Sequence, residues 1–295
     1  MLDIPVLHDD QHGTAVTVAA ALLNACEITG KRIDKIRIVI NGAGAAAISS
    51  ATMLLEMGVA REQITMIDSK GVISTRRTDL NEMKRGFATD RGATTLSQAI
   101  KDADVFIGLS KGDLLSESDV KSMNPSPIIF ALANPVPEIS YKQAKQWRPE
   151  AIVATGRSDS PNQINNVLSF PYLFRGALDT LSTTINESMK IAAAKAIAAI
   201  AQQPTSKEIE ELYGRQFTFG KEYILPKPGD KRLLTQVSSA VARAAMESGV
   251  ARRGIASFSE YSQTLLKRVE SENYFAREYV RHRIGRHGSE REREL

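Results

Sequence analysis

Through the first two thirds of the chain, short runs of branched apolar residues alternate with longer segments whose apolar positions recur at helical spacing. That pattern belongs to repeated strand–helix–strand units around a parallel sheet. Ile36 to Ile40 reads as a strand ending at Asn41-Gly42, and Ala45 to Met57 as a helix stopped by Gly58. Ile64 to Ile67 is a second strand, closed by Asp68; Leu96 to Lys101 is a short helix, and Ala103 to Leu109 a third strand ending at Ser110-Lys111-Gly112. Pro127 to Ala133 and Ala151 to Ala154 are further strands, each running into a polar loop. Upstream, Thr14 to Thr29 reads as an apolar helix with Gly30 as its stop. Downstream, Tyr172 to Ala201 is mostly helical, and Pro204 and the Pro226-Pro228-Gly229 cluster punctuate a helical region ending near Gly254. Residues 257 to 295 read as charged helix and then a solvated tail in which Glu290, Arg291, Glu292, Arg293 and Glu294 alternate in sign. No internal repeat is visible.

These elements predict an α/β fold: a Rossmann-type, doubly wound parallel sheet with a helical amino-terminal lead-in and a helical carboxyl-terminal extension. Three parts are expected, namely residues 1–30, residues 31–255 around the sheet, and a charged helical tail over 256–295. In such sheets ligands bind at the carboxyl ends of the strands. Composition narrows the partners. The chain has 295 residues, 42% of them hydrophobic, and 38 basic against 34 acidic side chains leave a formal charge of only +4. That excludes disorder and a disulfide scaffold, and an excess so small and so spread out gives no nucleic-acid footprint. The lone Cys26 has no internal disulfide partner, and the first residues lack the charged start and apolar run of a secretory signal, so a reducing cytoplasmic home is expected. The Ala-rich run from Ile191 to Ala201 is too short to span a membrane and carries Lys195.

The candidate chemistry sits in three places. Gly42-Ala43-Gly44-Ala45-Ala46-Ala47 fits GxGxxG/A directly after a strand and at the opening of a helix. Gly42 allows the tight turn, Gly44 lets the backbone approach a pyrophosphate, and the helix amino end offers unpaired N–H groups and positive dipole. Asp68, 26 residues after Gly42, closes the second strand where a ribose-binding carboxylate belongs. Asp68 favours NAD by repelling a 2′-phosphate, whereas Lys70, Arg76 and Arg77 can neutralise one or be plain loop residues, so NAD and NADP stay open. The second place is His8-Asp9-Asp10-Gln11-His12-Gly13-Thr14. Its two carboxylates before a helix serve either as caps or as ligands of a hard divalent ion. The His8/His12 spacing by itself does not make a zinc helix, and Gly13 reads as a turn. The third is Asn134, after the strand ending at Ala133, with Asn165-Asn166 before the helix around Phe170 to Leu178. Amides here are turn residues or hydrogen-bond partners of a carboxylate or carboxamide.

Together these segments resemble the malic enzymes, most closely the compact bacterial type. The resemblance rests on Ile4 to Ala15, Asn41 to Ala46, Met66 to Gly71, Phe130 to Pro135, Asn165-Asn166-Val167 leading to Phe170-Pro171, and Ala244 to Ala251; it covers about residues 3 to 255. It implies NAD- or NADP-dependent oxidative decarboxylation of L-malate to pyruvate and CO2 with Mg2+ or Mn2+, in a homo-oligomer of at least two subunits. It further implies that Asp10 is a metal ligand and that Asp9 orients the catalytic site. By the same resemblance Thr14, Gly42, Ala43, Gly44, Ala45 and Asp68 bind the cofactor, Asn134 lies by the nicotinamide, and Asn166 binds the substrate.

One departure is informative. Members of that family carry a catalytic tyrosine and lysine, a substrate-binding arginine and an adjacent acidic metal-binding pair upstream of the segment that here begins at His8. The expectation is therefore the cofactor half of such an enzyme, with weak NAD(H) binding, negligible malate turnover by the chain alone, and exposed apolar surface where the other domain would pack. Lys111 and Lys190 are the replacement lysines considered, and nothing in their spacing singles out either. The alternatives are a free-standing nucleotide-binding or assembly module and another Rossmann dehydrogenase, such as an amino-acid dehydrogenase, although the latter leaves Asp9-Asp10 and the paired asparagines without a role.

Overall fold

A computed structural model describes residues 4–269. Its centre is a six-stranded sheet in the order β3-β2-β1-β4-β5-β6. The strands are β1 (Ile38–Asn41), β2 (Ile64–Asp68), β3 (Gly71–Val72), β4 (Val105–Gly108), β5 (Ile128–Ala131) and β6 (Ile152–Thr155). All pairings are parallel except the short β2–β3 ladder. The chain moves outward from β1 to β2, then returns across β1 to β4, which opens a crevice between the ends of β1 and β4. The register Asn41↔Gly108↔Ala131↔Thr155 aligns the carboxyl ends of four strands along one rim.

Alternate strand residues feed two cores. Ile38, Ile40, Ile64, Met66, Val105, Ile107, Ile128 and Phe130 face one layer, and Val39, Ile67, Phe106, Ile129 and Val153 face the other. Helices cover both faces, so every strand from β1 to β6 outside β3 is buried almost throughout and reads as a continuous apolar run. The larger layer is built on α1 (Asp9–Thr29), which packs against α2 (Ala45–Glu56) and α8 (Glu187–Gln202). From Val16 to Leu22 every residue of α1 is 0% exposed, which explains a helix apolar all round and rich in alanine. Buried Asn24 ties it down by donating to the carbonyls of Ala198 and Ile224 at 2.9 and 2.8 Å. The opposite face carries the short helices α4 (Leu96–Ile100), α5 (Glu117–Lys121) and α6 (Tyr141–Trp147).

The structure departs from the sequence pattern in three respects. The first helix starts at Asp9 instead of Thr14, so Asp9 and Asp10 are its first turn, where carboxylates favour the exposed helix dipole. Gly13 is a buried helical residue and not a turn: a Cβ there would stand 2.2 Å from Asp9 Oδ1 and 2.9 Å from Asn166 Cβ. The segment from Tyr172 to Ala201 is two helices, α7 (Tyr172–Asp179) and α8, separated by a break in which Leu181 has φ 51° and Asn186 caps α8 by accepting from Met189 N–H. Beyond α9 (Lys207–Tyr213), a π-helical turn at Leu233–Val237 leads into α10 (Ser238–Glu247), and residues 258–269 are helical as the charge pattern suggested. The alternating charges from Glu290 to Glu294 lie outside the described residues. The two-residue β3 and the single-turn, largely polar α3 (Glu82–Arg85) are too short for periodicity to announce.

Candidate functional site

β1 delivers its last residue, Asn41, to the crevice, and Gly42 turns the chain there with φ 131°. A Cβ on Gly42 would sit 2.6 Å from Leu109 O, so glycine is required by backbone angle and by space alike. Gly44 is the N-cap of α2 and offers no capping side chain, and no acidic residue occupies the first turn. The first N–H groups of α2 therefore point, unpaired and at the positive end of the dipole, toward the crevice. A cleft of about 850 Å³ opens at this point. Asn41 to Gly44 form its floor, Ile67 to Gly71 with Lys84 one wall, and Leu109 to Lys111 the other. Gly42, Ala43, Gly44 and Asp68 thus meet in one cavity, as the motif required, and Ala45 opens the helix behind them. The cradle vacated by a missing Cβ and the bare helix end fit a dinucleotide pyrophosphate.

Asp68 occupies the expected wall position, but both of its oxygens are already engaged. Arg77 donates to them at 2.7 and 3.1 Å, Lys84 Nζ at 2.8 Å, and the Lys70 N–H at 3.0 Å. Burial raises the carboxyl's pKa, and these four donors outweigh it, holding the group well below the usual carboxylate range. Arg77 also binds Asp79, which Lys70 pairs in turn. Lys84 was not legible in the sequence. It lies 16 residues beyond Asp68, in a stretch without regular spacing, and only the fold swings it into the cleft.

A second corner forms at the start of α1. Asn166, 157 residues away in sequence, donates its amide to Asp9 Oδ2, while Asp9 Oδ1 is buried without a partner. Burial and the adjacent Asp10 raise the Asp9 pKa, against the Asn166 hydrogen bond and His8. Thr17 holds the same loop by donating to Gly13 O at 2.8 Å and Asn165 O at 3.4 Å. Asp10 is exposed and Thr14 half-buried one turn further on. Buried Lys190 reaches this helix: its Nζ pairs with Glu187 and lies 3.4 Å from His12 Nδ1. Burial and the Lys190 charge lower the His12 pKa. Among the described residues no three His, Cys, Asp or Glu side chains cluster as a cation site, so the donor set here is partial. Asn134 stands apart from the cleft lining, exposed at the end of β5, with its Nδ2 3.4 Å from Leu132 O.

Residues 11–215 match the sequence model of the family described as "Malic enzyme, NAD binding domain". The chain belongs to that family. It is 50% identical over 279 residues to an NADP-dependent malic enzyme of Haemophilus influenzae, covering 94% of this chain and 37% of that protein. It is 47% identical over 266 residues to an NAD-dependent malic enzyme of Rhizobium meliloti, covering 90% and 34% respectively. The crystal structure of malic enzyme from Pyrococcus horikoshii superposes with a TM-score of 0.82 at 39% identity, over 93% of this chain and 63% of that one. The chain thus spans about a third of the length of these two curated relatives. Residues 11–215, which include the glycine cradle, lie within the matched family, and membership sets aside the amino-acid dehydrogenase reading. No described helix is long and apolar enough to cross a membrane.

Proposed function

We propose that this chain supplies the dinucleotide site for oxidative decarboxylation of L-malate to pyruvate and CO2, with NADP favoured over NAD. The observation that carries the reading is the cleft at the β1/β4 switch point, where a glycine turn that tolerates no side chain faces a bare helix amino end. The NADP preference follows from the wall. A free carboxylate at Asp68 would repel a 2′-phosphate, but here it is bound by Arg77 and Lys84, and Lys84 and Lys70 both line the cleft. The three cations Lys70, Arg77 and Lys84 against the two carboxylates Asp68 and Asp79 leave one net positive charge where that phosphate would lie.

In this reading Gly42 to Ala45 hold the pyrophosphate and Thr14 contacts the cofactor. Asn134 hydrogen-bonds the nicotinamide side, and Asn166, steered by Asp9, presents its carbonyl oxygen to malate. When bound, the dinucleotide would accept the hydride of malate C2 as the hydroxyl gives up its proton; the C3–C4 bond would then break as CO2 leaves, its electron pair passing to the new ketone oxygen, and a proton delivered to C3 would complete pyruvate. Asp10, exposed at the head of α1, is the residue that would hold Mg2+ or Mn2+, an ion that polarises the substrate oxygens when bound. The division into a lead-in over 1–30, a nucleotide unit over 31–255 and a tail over 256–295 belongs to the same proposal, as do a homo-oligomer and a cytoplasmic location.

Fluorescence titration with NADPH tests the site. The chain is expected to bind NADPH and Gly42→Ala to lose that binding; equal binding by both proteins overturns the reading. Turnover is assayed with L-malate, Mn2+ and NADP+, for the chain alone and joined to the remaining part of the Haemophilus relative. Cofactor binding with no turnover in either form supports a plain nucleotide-binding module instead.

A further inference from the structure

The loop after β5 carries a carboxylate that the cofactor reading leaves unused. Glu138 is 0% exposed. Its side chain lies between two backbone donors, with Ser110 N–H 3.2 Å from Oε1 and Ala133 N–H 3.1 Å from Oε2. Its own carbonyl accepts from the N–H groups of Leu114 and Leu115 at 2.9 and 3.1 Å. The last residue of β4 makes room for it: a Cβ on Gly108 would stand 2.2 Å from the Glu138 carboxyl carbon. Ser110 Oγ in turn accepts from Asn41 Nδ2 at 2.7 Å. One run of hydrogen bonds therefore links the ends of β1, β4 and β5.

An apolar side chain would fill the same space without the cost of burying a carboxylate. It would not accept from Ser110 and Ala133 at once. These two donors flank the functional surface, since Ser110 and Lys111 line the cleft and Ala133 precedes Asn134. Resting on the NADP(H) reading above, we infer that Glu138 is a positioning residue for the nicotinamide half of the cofactor. It fixes the spacing between the Ser110-Lys111 wall and the Asn134 loop. The adenosine half rests on Asp68, Lys70 and Lys84, none of which Glu138 touches.

That separation gives the test. The full chain and its Glu138→Gln variant are titrated with NADPH and with 2′,5′-ADP, which carries only the adenosine half. Gln keeps the shape but presents one acceptor oxygen to two donors. NADPH is expected to bind roughly tenfold more weakly to the variant, the effect of one buried donor left unpaired. Binding of 2′,5′-ADP should stay within about twofold, because its contacts are untouched. Glu138→Asp, which retains the charge but is too short to reach both donors, should show the same split if Gln proves unstable. Unchanged NADPH affinity, or equal weakening of both ligands, overturns the inference; the second outcome would mark a general structural role. If the unsubstituted chain binds neither ligand, the cofactor reading itself fails, and the role of Glu138 with it.

Discussion

Lys84 offers the sharpest test of cofactor choice. Its ammonium is 27% exposed in side-chain area and sits 2.8 Å from Asp68 Oδ2 on the cleft wall. Lys84→Gln takes the local charge from one net positive to neutral and leaves Asp68 held by Arg77 alone among the cations, at 2.7 and 3.1 Å. For unit charges about 4 Å apart near a protein surface, the Coulomb energy is about 4 kcal/mol before solvent screening. Net charge-assisted hydrogen bonds amount to about 1.5–3 kcal/mol. With Lys84 partly in water, a loss of about 1.5–2 kcal/mol is expected, or roughly 10- to 30-fold in NADPH affinity. NADH lacks the 2′-phosphate, and its affinity should fall less than about threefold. Titrating both cofactors at low and high salt completes the measurement, because the NADPH penalty should shrink as ionic strength rises. Equal losses for the two cofactors, or an NADPH affinity that ignores the substitution, would refute the charge argument.

Three further outcomes follow from the geometry. Asp68 titrates below its ordinary value of 3.8 in the folded chain, so the stability it contributes is complete above that value and is lost as pH falls through the folded pKa. Asp68→Asn should therefore flatten the acid limb of a stability–pH curve, and an unchanged limb would show that the ion-pair cluster is not responsible. Gly13→Ala places a methyl group against Asp9 and Asn166, and should lower the melting temperature and loosen the Asn165-Asn166 loop, detectable as faster amide exchange there; an alanine variant as stable as the parent would contradict the packing. Cys26 is 5% exposed and burial pushes its thiol up to about 12, so a thiol reagent at neutral pH should label it only as fast as the chain opens. Rapid labelling of the folded protein would be inconsistent with that burial.

Much of the fold and part of the site were legible in the residues themselves. Strands β1, β2, β4, β5 and β6 announce themselves as branched apolar runs because each is buried on both faces. The cofactor loop was equally clear, since Gly42 and Gly44 answer to local backbone geometry and the strand–turn–helix context lies within a few residues. Helix α1 was found but begun too late: carboxylates in a first turn and in a preceding loop look alike in sequence, and Gly13 reads as a breaker until Asp9 and Asn166 are seen to need its space.

Local pattern, then, determined the class of fold, the dinucleotide cradle and the positions of Asp9, Asp10, Asp68, Asn134 and Asn166 as candidates. Tertiary structure decided which of these meet and in what electrostatic state. It closed Asn166 on Asp9 across 157 residues, brought Lys190 beside His12, and placed Arg77 and Lys84 on Asp68. It also buried Glu138 between the β4 and β5 loops. The reason is physical: a turn or strand answers to its own and neighbouring residues, whereas the charge state and hydrogen bonding of a side chain depend on groups that only the folded chain brings within a few ångströms.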